Sequence, residues 1–310
     1  MPVRIVVIGS LNMDMTVYTP RHPQIGETIL GDSLFINPGG KGGNQAVAAA
    51  RLGAAVHMVG KTGKDSFGEQ LRANLKTNGV DTEWILCDTE CATGTALITV
   101  DARGANSIIV IPGSNMRLSP SDIDRAKGLI SQCQLIIMQL EIPLETVLRA
   151  AQIAHKQGVK VILNPSPAKS LSQEMLELVD ILVINETELA LLTQSRVDAK
   201  QSLLNAARRL KRMTPADVVL TLGNRGSWWL GDMEFQKLPA FSVQAIDTIA
   251  AGDAFIGGLA VALLENQPMV EALRWGNAAG ALATTRKGAQ SSLPERNCVV
   301  ELLNKHFKKG

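Results

Sequence analysis

Residues 135–163 read LIIMQLEIPLETVLRAAQIAHKQGVKVIL, and this stretch determines the fold class that we predict. The apolar run at 135–138 predicts a buried strand, residues 144–157 predict a helix, and residues 159–163 predict a second strand. Strands that alternate with helices form a mainly parallel sheet with helices on both faces. The stretch therefore indicates an α/β fold.

The same alternation extends in both directions along the chain. Further strands are predicted at 4–9, 56–60, 181–184 and 217–222, with 226–230 extending the sheet, and further helices at 46–52, 67–76, 186–192, 252–264 and 269–285. We see no internal repeat, no low-complexity segment and no linker between independent units. We therefore predict a single α/β domain over residues 1–310.

Two β-rich stretches, at about 12–40 and 93–112, interrupt this rhythm. The runs at 95–100 and 107–111 flank a polar turn, which is typical of a β-hairpin. We interpret the two stretches as one small sheet that protrudes as a lid. Because an isolated small sheet is marginally stable in water, we expect a homodimer formed through this lid.

Composition and charge exclude several classes of function. The net charge of +2 gives no electrostatic basis for binding nucleic acid, and no basic surface indicates membrane binding. No apolar run reaches the roughly 18 residues needed to span a bilayer. The four cysteines have no metal-site spacing, so we expect reduced thiols and a cytoplasmic protein.

The segment DTIAAGDAFIGG at 247–258 carries the strongest chemical signal. Ala250, Ala251 and Gly252 are small and precede a helix, so a ligand can approach the unpaired N–H groups of the helix N-terminus. Asp253 falls in the first helical turn, where a carboxylate can accept the proton of an attacking hydroxyl. The helix N-terminus should favour the ionised form of Asp253. An ordinary acidic residue at a helix start explains the same pattern.

Three other polar segments follow predicted strands or precede helices. NPGGKGGN at 37–44 has the spacing neither of a phosphate loop nor of G-x-G-x-x-G, and its Asn44 either binds ligand hydroxyls or caps the next helix. Asn12 and Asp14 either clamp a diol or belong to a turn. Asn185 and Glu188 either hold hydrated Mg²⁺ or begin a helix.

Together these segments resemble the ribokinase family of sugar kinases, which have the phosphofructokinase-B type fold. GGKGGNQAVAAARLGA (39–54) and DTIAAGDAFIGG are similar to its two signatures. MQLE (138–141), NPSPA (164–168), NETE (185–188), TLGNRG (221–226) and TRKGAQSSLP (285–294) follow the order of the family. The resemblance covers essentially the whole chain and implies ATP-dependent phosphorylation of a sugar.

The resemblance also implies roles for individual residues. Asp253 would be the catalytic base, beside an anion hole of Ala250, Ala251 and Gly252. The sugar would be bound by Asn12, Asp14, Gly40, Lys41, Gly42, Gly43, Asn44 and Glu141, with Met13 among them. ATP would be bound by Asn185, Thr221, Leu222, Gly223, Asn224, Arg225, Gly226, Gly252, Asp253 and Asn277.

Two cations are implied in the same way. Glu188 would organise Mg²⁺ through water. A monovalent cation, usually K⁺, would be held next to the anion hole by oxygen atoms of Asp247, Ile249, Ala283, Arg286, Gly288 and Ser292. All of these oxygens would be backbone carbonyls except the Asp247 carboxylate and the Ser292 hydroxyl. The ion would tighten the loop without taking part in the chemistry.

The choice of sugar stays open between several substrates. D-ribose, phosphorylated at its 5-hydroxyl, is the first expectation, and 2-deoxyribose, another sugar or a nucleoside is the alternative. Met13 replaces a small residue of the family pattern, Ala254 and Ile256 replace Thr and Asn, and Asn277 stands where His is frequent. If Asn12 faces C2 of the sugar, its unpaired amide would disfavour a deoxy sugar by about 1–3 kcal/mol.

Two other classes of protein compete with the kinase hypothesis. A sugar-binding or regulatory protein without catalysis is possible on the same fold, but the intact Asp253 argues against it. A nicotinamide oxidoreductase is excluded because no G-x-G-x-x-G follows the first strand.

Overall fold

The computed structural model describes residues 4–307, which fold as an α/β structure with two sheets. The described strands are β1 (Arg4–Ile8), β2 (Asn12–Tyr18), β3 (Ser33–Gly39), β4 (Ala55–Gly63), β5 (Val80–Asp81), β6 (Ile85–Asp88), β7 (Gly94–Val100), β8 (Asn106–Ile111), β9 (Leu135–Gln139), β10 (Lys160–Asn164), β11 (Ile181–Ile184), β12 (Asp217–Thr221), β13 (Ser227–Leu230) and β14 (Phe235–Leu238). The described helices are α1 (Lys41–Arg51), α2 (Ser66–Thr77), α3 (Pro120–Arg125), α4 (Lys127–Gln132), α5 (Leu144–Lys156), α6 (Gln173–Leu178), α7 (Glu186–Thr193), α8 (Lys200–Met213), α9 (Ala251–Leu264), α10 (Met269–Ala283) and α11 (Arg296–Phe307).

The large sheet has the strand order β14-β13-β12-β11-β10-β9-β1-β4-β5, and β6 also pairs with β4. Its pairings are parallel except for β12 with β13 and β13 with β14, which are antiparallel. The prediction of a mainly parallel sheet is confirmed. Its carboxyl ends converge on the edge where ligands bind in open α/β sheets.

Both faces of the large sheet are buried, as the apolar composition of its strands requires. In β1, Ile5 and Val7 pack into one core with α1, α2, α9, α10 and α11. The alternate residues Val6 and Ile8 pack into a second core with helices α3 to α8. Helices therefore cover the sheet on both sides, as the sequence predicts.

The second sheet has four strands in the order β3-β2-β7-β8 and corresponds to the predicted lid. Strand β2 pairs in parallel with β7 and antiparallel with β3, and β7 and β8 form the predicted hairpin. Large apolar side chains on this sheet are exposed, among them Phe35, Leu97, Ile109 and Ile111. Strand β2 begins at Asn12, close behind the end of β1 at Ile8, so the lid is joined directly to the large sheet.

The start of helix α1 differs from the sequence prediction. The helix begins at Lys41 rather than at residue 46, so the glycine-rich segment forms its first turn. Gly40 precedes it with a φ of 81°, and a Cβ there would lie 2.6 Å from the backbone nitrogen of Asn12. Only glycine tolerates both the positive φ and the close approach, which places the helix N-terminus against β2.

Several elements were not predicted from the sequence, including α6 and α8 among the helices and β14 at the sheet edge. None of the helices that the structure describes has the length and apolar character needed to cross a membrane.

Candidate active site

Helix α9 presents an open N-terminus at the carboxyl edge of the large sheet. Ala250 precedes it in the left-handed region with φ 58°, a conformation that costs an alanine about 1–2 kcal/mol. No side chain caps the helix. The Ala251 N–H donates to the Thr248 carbonyl at 3.3 Å, so the N–H groups of Gly252 and Asp253 are the ones available to a ligand. Backbone strain at such a position is typical of functional sites.

Asp253 lies in the first turn of α9, as predicted, and its side chain is buried. Both carboxylate oxygens accept hydrogen bonds from α1. The Asn44 side-chain nitrogen donates to Oδ2 at 2.9 Å, and the Gln45 side-chain nitrogen donates to Oδ1 at 2.8 Å. Asn44 is therefore a partner of Asp253 within α1 and is not a helix cap, which corrects one of its two interpretations.

Close packing of α1 against α9 makes these contacts possible. A Cβ on Gly257 would lie 2.6 Å from the Cβ of Ala48, closer than two carbon atoms can pack. The glycine thus lets the two helices approach until Asn44 and Gln45 reach Asp253. Both helix N-termini consequently open towards the same site.

The electrostatic environment of Asp253 differs from the expectation of a simple helix N-terminus. Burial raises the pKa of Asp253 above its usual value, while the charge of Lys41 and the amides of Asn44 and Gln45 act to lower it. Desolvation outweighs the helix N-terminus here because the carboxylate is removed from water. Burial of Lys41 acts to lower its pKa, but the charges of Asp253, Glu141 and Glu188 raise it on balance.

A second group of carboxylates lies on the lid side of Asp253. Burial, together with the charges of Glu141 and Asp253, raises the pKa of Asp14 to about 7. The carboxylate of Glu141 accepts hydrogen bonds from the Ser10 hydroxyl and, at 3.1 Å, from the Lys41 backbone N–H. Three acidic side chains and one lysine therefore share one small polar region.

Asn12 is held by a residue that the sequence analysis missed. Asn115 donates from Nδ2 to Asn12 Oδ1 at 2.8 Å and pairs with the backbone of Leu11 through both N–H and C=O. Because Asn12 Oδ1 is engaged, its side-chain NH₂ is the group left to donate to a ligand. Asn115 is fully buried, and this contact fixes the orientation of the Asn12 amide.

The side chain of Met13 lies in the core and not beside Asn12 and Asp14. Side chains alternate along a strand, so Met13 points away from the face that Asn12 and Asp14 share. It is 1% exposed and packs in the core with Leu11 and the residues of α1. Its larger side chain therefore fills the core behind the site.

A cavity of about 460 Å³ lies on the other side of the α9 N-terminus. Its lining includes several residues expected to bind the nucleotide, namely Thr221, Gly223, Asn224, Gly226, Gly252 and Asn277. Leu222 and Arg225 do not line it. Leu222 is buried in the core, and Arg225 forms an ion pair with Glu186, so their side chains point elsewhere.

A smaller cavity of about 230 Å³ reaches Asp253 from the polar side. Asn185 and Glu188 line it, together with Lys41, Asn164 and Ser166. Asn185 and Glu188 also form a capping box for α7, in which each side chain accepts the other's backbone N–H at 2.9 Å. Burial raises the pKa of Glu188. The interpretation as a helix start is therefore confirmed, and the role of the two residues in holding Mg²⁺ stays a prediction.

Asp247 connects the turn before α9 to a second loop. Its Oδ1 accepts the Ile249 N–H at 3.0 Å, and its Oδ2 accepts the Gly288 N–H at 2.9 Å. The Ser292 hydroxyl donates to the Ala289 carbonyl at 2.8 Å, and the Ala283 carbonyl accepts the Arg286 N–H at 3.5 Å. The predicted cation ligands thus come from two loops that a carboxylate already joins. Between residues 4 and 307, no three His, Cys, Asp or Glu side chains form a metal-binding cluster.

A buried base beside a helix N-terminus that can receive an anion is suited to transfer a phosphoryl group to an alcohol. The chain belongs to the pfkB family of carbohydrate kinases, which it matches over residues 3–296. The prediction of a sugar kinase is therefore confirmed.

Named relatives within this family extend over almost the whole chain. The ribokinase of Haemophilus influenzae is 44% identical over 299 residues, which cover 96% of this chain and 98% of the relative. The deoxyribokinase of Salmonella typhi is 40% identical over 304 residues, which cover 98% of each chain. The chain is thus similar to enzymes named for two different pentoses.

A solved structure is similar in fold over the same length. The Arabidopsis thaliana ribokinase, described as complexed with ribose and ATP, superposes with a TM-score of 0.91 at 32% identity. The match covers 98% of this chain and 99% of that one.

The raised pKa of Asp14 leads to a prediction about stability in the ligand-free protein. Because the folded state binds a proton more tightly than the unfolded state, ionising Asp14 destabilises the fold as pH rises from about 4 to 7. We expect Asp14→Asn to leave the free energy of unfolding nearly unchanged at pH 4 and to raise it at pH 8 by about 1–3 kcal/mol. Urea unfolding at both pH values measures this difference. An equal effect at the two pH values would contradict it. Asp32→Asn, at an exposed position whose carboxylate forms no ion pair with any residue that the structure describes, is the control.

Proposed function

We propose that the protein transfers the γ-phosphoryl group of ATP to the 5-hydroxyl of D-ribose. The placement of Asp253 carries this proposal: it lies between the polar group of Asp14 and Glu141 and the cavities beyond the α9 N-terminus. Gly252 lines both cavities, so its backbone stands where the two substrates would meet. The names of the relatives above support ribose as the acceptor.

The residues of the chain account for the main needs of the reaction. The sugar hydroxyl attacks the γ-phosphorus, the new O–P bond forms, and the bond to the β-phosphate oxygen breaks to release ADP. Asp253 accepts the hydroxyl proton, and the anion hole of Ala250, Ala251 and Gly252 stabilises the charge on the transferred group. Lys41 contributes a positive charge on the same side of Asp253.

We assign the remaining residues to the sugar or to ATP according to the side of Asp253 on which they lie. For the sugar we propose Asn12, Asp14, Asn44, Glu141 and the first turn of α1 from Gly40 to Gly43. For ATP we propose Thr221, Gly223, Asn224, Gly226, Gly252 and Asn277, which line the larger cavity, with Asn185 in the smaller one.

Asn12 favours ribose over 2-deoxyribose as the substrate. Asn115 already occupies its oxygen, so the NH₂ group needs an acceptor, which a 2-hydroxyl provides and a deoxy sugar lacks. A buried amide donor left without a partner costs about 1–3 kcal/mol, or roughly one to two orders of magnitude in kcat/KM. A kinase for 2-deoxyribose, the named substrate of one relative, is the alternative.

The chain offers oxygen ligands for two cations. The buried Glu188 and the exposed Asn185 fit a hydrated Mg²⁺, which would neutralise phosphate charge when bound. The oxygens of Asp247, Ile249, Ala283, Arg286, Gly288 and Ser292 fit K⁺, because Asp247 already draws the two loops together. This ion would hold the loop before α9 in place.

We also propose a homodimer formed through the lid. Apolar side chains on β3, β7 and β8 are exposed, and Ile109 is 63% accessible. Pairing of two lids would bury this surface and exclude water from the transferring phosphate. A cytoplasmic location, expected from the cysteines, remains part of the proposal.

The central prediction concerns Asp253→Asn. We expect kcat/KM for ribose to fall by about 10²–10⁴ because the amide cannot accept the hydroxyl proton. A coupled ADP assay over ribose, 2-deoxyribose, fructose and adenosine measures both the loss and the substrate preference, with Asp232→Asn as control. An Asp253→Asn enzyme that is as active as the wild type would refute the mechanism. Faster turnover of another acceptor than of ribose would refute the substrate assignment.

Removal of K⁺ is expected to lower activity without changing the chemistry. Replacing K⁺ by tetramethylammonium should reduce kcat/KM for ribose several-fold in the wild type. Asp247→Asn should respond less, because the single anionic ligand of the proposed cation site is gone. Equal rates in the two salts would count against the cation site.

The lid interface predicts a specific effect of charge on assembly. The wild type should sediment as a dimer at micromolar concentration, and Ile109→Lys should shift it towards monomer by burying an unpaired charge. Met233→Lys, at a position that is 96% exposed and outside the lid, is the matched control. A wild-type monomer, or the same dissociation in both variants, would rule out lid pairing.

A further inference from the structure

Behind Asp253 runs a chain of two glutamine side chains that line neither cavity. Gln45 Nε2 donates to Asp253 Oδ1 at 2.8 Å, and Gln139 Nε2 donates to Gln45 Oε1 at 2.6 Å. Both glutamines are 0% exposed. They connect the base to β9 in the large sheet across the first turns of α1.

The Gln45 amide has a defined direction. A carboxylate accepts hydrogen bonds, so the Gln45 NH₂ faces Asp253 and its Oε1 accepts from Gln139. Gln139 is held by packing at the end of β1, where a Cβ on Gly9 would lie 2.0 Å from its Oε1, and this oxygen is buried without a hydrogen-bond partner among the described residues. The sheet therefore fixes Gln139, Gln139 fixes Gln45, and Gln45 fixes one oxygen of Asp253.

The amides of Gln45 and Asn44, which both contact Asp253, differ in how many of their polar atoms form hydrogen bonds. Both ends of the Gln45 amide are engaged, on Gln139 and on Asp253. Asn44 instead leaves its Oδ1 buried without a hydrogen-bond partner, while its Nδ2 donates to Asp253 Oδ2. A buried acceptor without a donor is costly, so Asn44 is the amide that gains by turning to a ligand hydroxyl.

We propose that Gln45 and Gln139 are positioning residues for Asp253, which hold Oδ1 fixed and leave Oδ2 to meet the sugar hydroxyl. This inference rests on the proposed function, because it assigns the reacting oxygen of the base. Asn44 releases Oδ2 when the sugar arrives, whereas Gln45 keeps its hydrogen bond throughout.

A fixed donor on Oδ1 has two consequences for catalysis. It holds the second oxygen in line with the attacking hydroxyl, which affects kcat more than sugar binding. It also stabilises the charged carboxylate, so its loss raises the pKa of Asp253. Since only the ionised base accepts a proton, the acidic limb of the pH profile then moves to higher pH.

The test compares Gln45→Met and Gln139→Met, which remove the amides and nearly preserve volume. With ribose and ATP as substrates, we expect Gln45→Met to lower kcat by about 10- to 100-fold, with KM for ribose within about 2-fold. The acidic limb of kcat/KM should move to higher pH. Gln139→Met should produce the same changes to a smaller extent, because it acts only through Gln45.

Thr146→Val is the matched control. Thr146 is buried in α5, where its hydroxyl donates to the Leu118 carbonyl at 2.7 Å, far from Asp253 in sequence. This variant should lose stability but keep the wild-type kcat and pH profile. If Gln45→Met does not fold, the Gln139→Met pH profile decides the question.

The outcomes separate this inference from the proposed function. An active wild type with unchanged kcat and pH limb in the glutamine variants would overturn the positioning role alone. A rise in KM for ribose at constant kcat would also overturn it. A wild type that phosphorylates none of the sugars would refute the proposed function itself.

Discussion

The contact between helices α1 and α9 is the constraint on which the site depends. Gly257 lets the helices approach to within the reach of two amide side chains, and Asn44 and Gln45 use that reach to hold Asp253. The same approach brings two helix N-termini to one point at the edge of the sheet. Without it, the carboxylate would be an ordinary acidic residue in the first turn of a helix, with no defined orientation towards the sugar side.

Charge balance around Asp253 follows from this geometry. Burial disfavours the ionised form of Asp253, Asp14 and Glu188, and Lys41 is the cation that offsets part of this cost. The site therefore holds more acidic than basic groups in a region with little water. Such an excess is unfavourable in the empty protein, and it creates a demand for donors that sugar hydroxyls and hydrated cations supply. The ligand-free site thus contains buried negative charge that its own donors and its lysine do not fully compensate.

Much of the fold could be predicted because its signals are local. The parallel strands are recognisable in the sequence as apolar runs, and the hairpin of β7 and β8 is recognisable by its polar turn. Helix α8 was missed although Leu203, Ala206, Ala207 and Leu210 have helical spacing. In the site, Asp253 was found from its motif. Asn115, Gln45 and Gln139 were not, because their contacts join residues about 100 or more positions apart. The sequence analysis grouped Met13 with Asn12 and Asp14 without applying strand alternation, which turns its side chain to the core.

Strand β2 gives the lid a mechanical property that its topology alone does not suggest. Asn12 and Asp14 stand at its base, and the same strand continues to Tyr18 in the middle of the lid sheet. At about 3.3 Å per residue the strand is a lever of roughly 20 Å, so a tilt of about 10° at its base displaces its tip by about 4 Å. If Asn12 and Asp14 bind the sugar as proposed, sugar binding and movement of the lid act at opposite ends of this one strand. A small rotation of the strand at the sugar would then be amplified at its tip, and a second lid paired with the tip would restrain the same rotation.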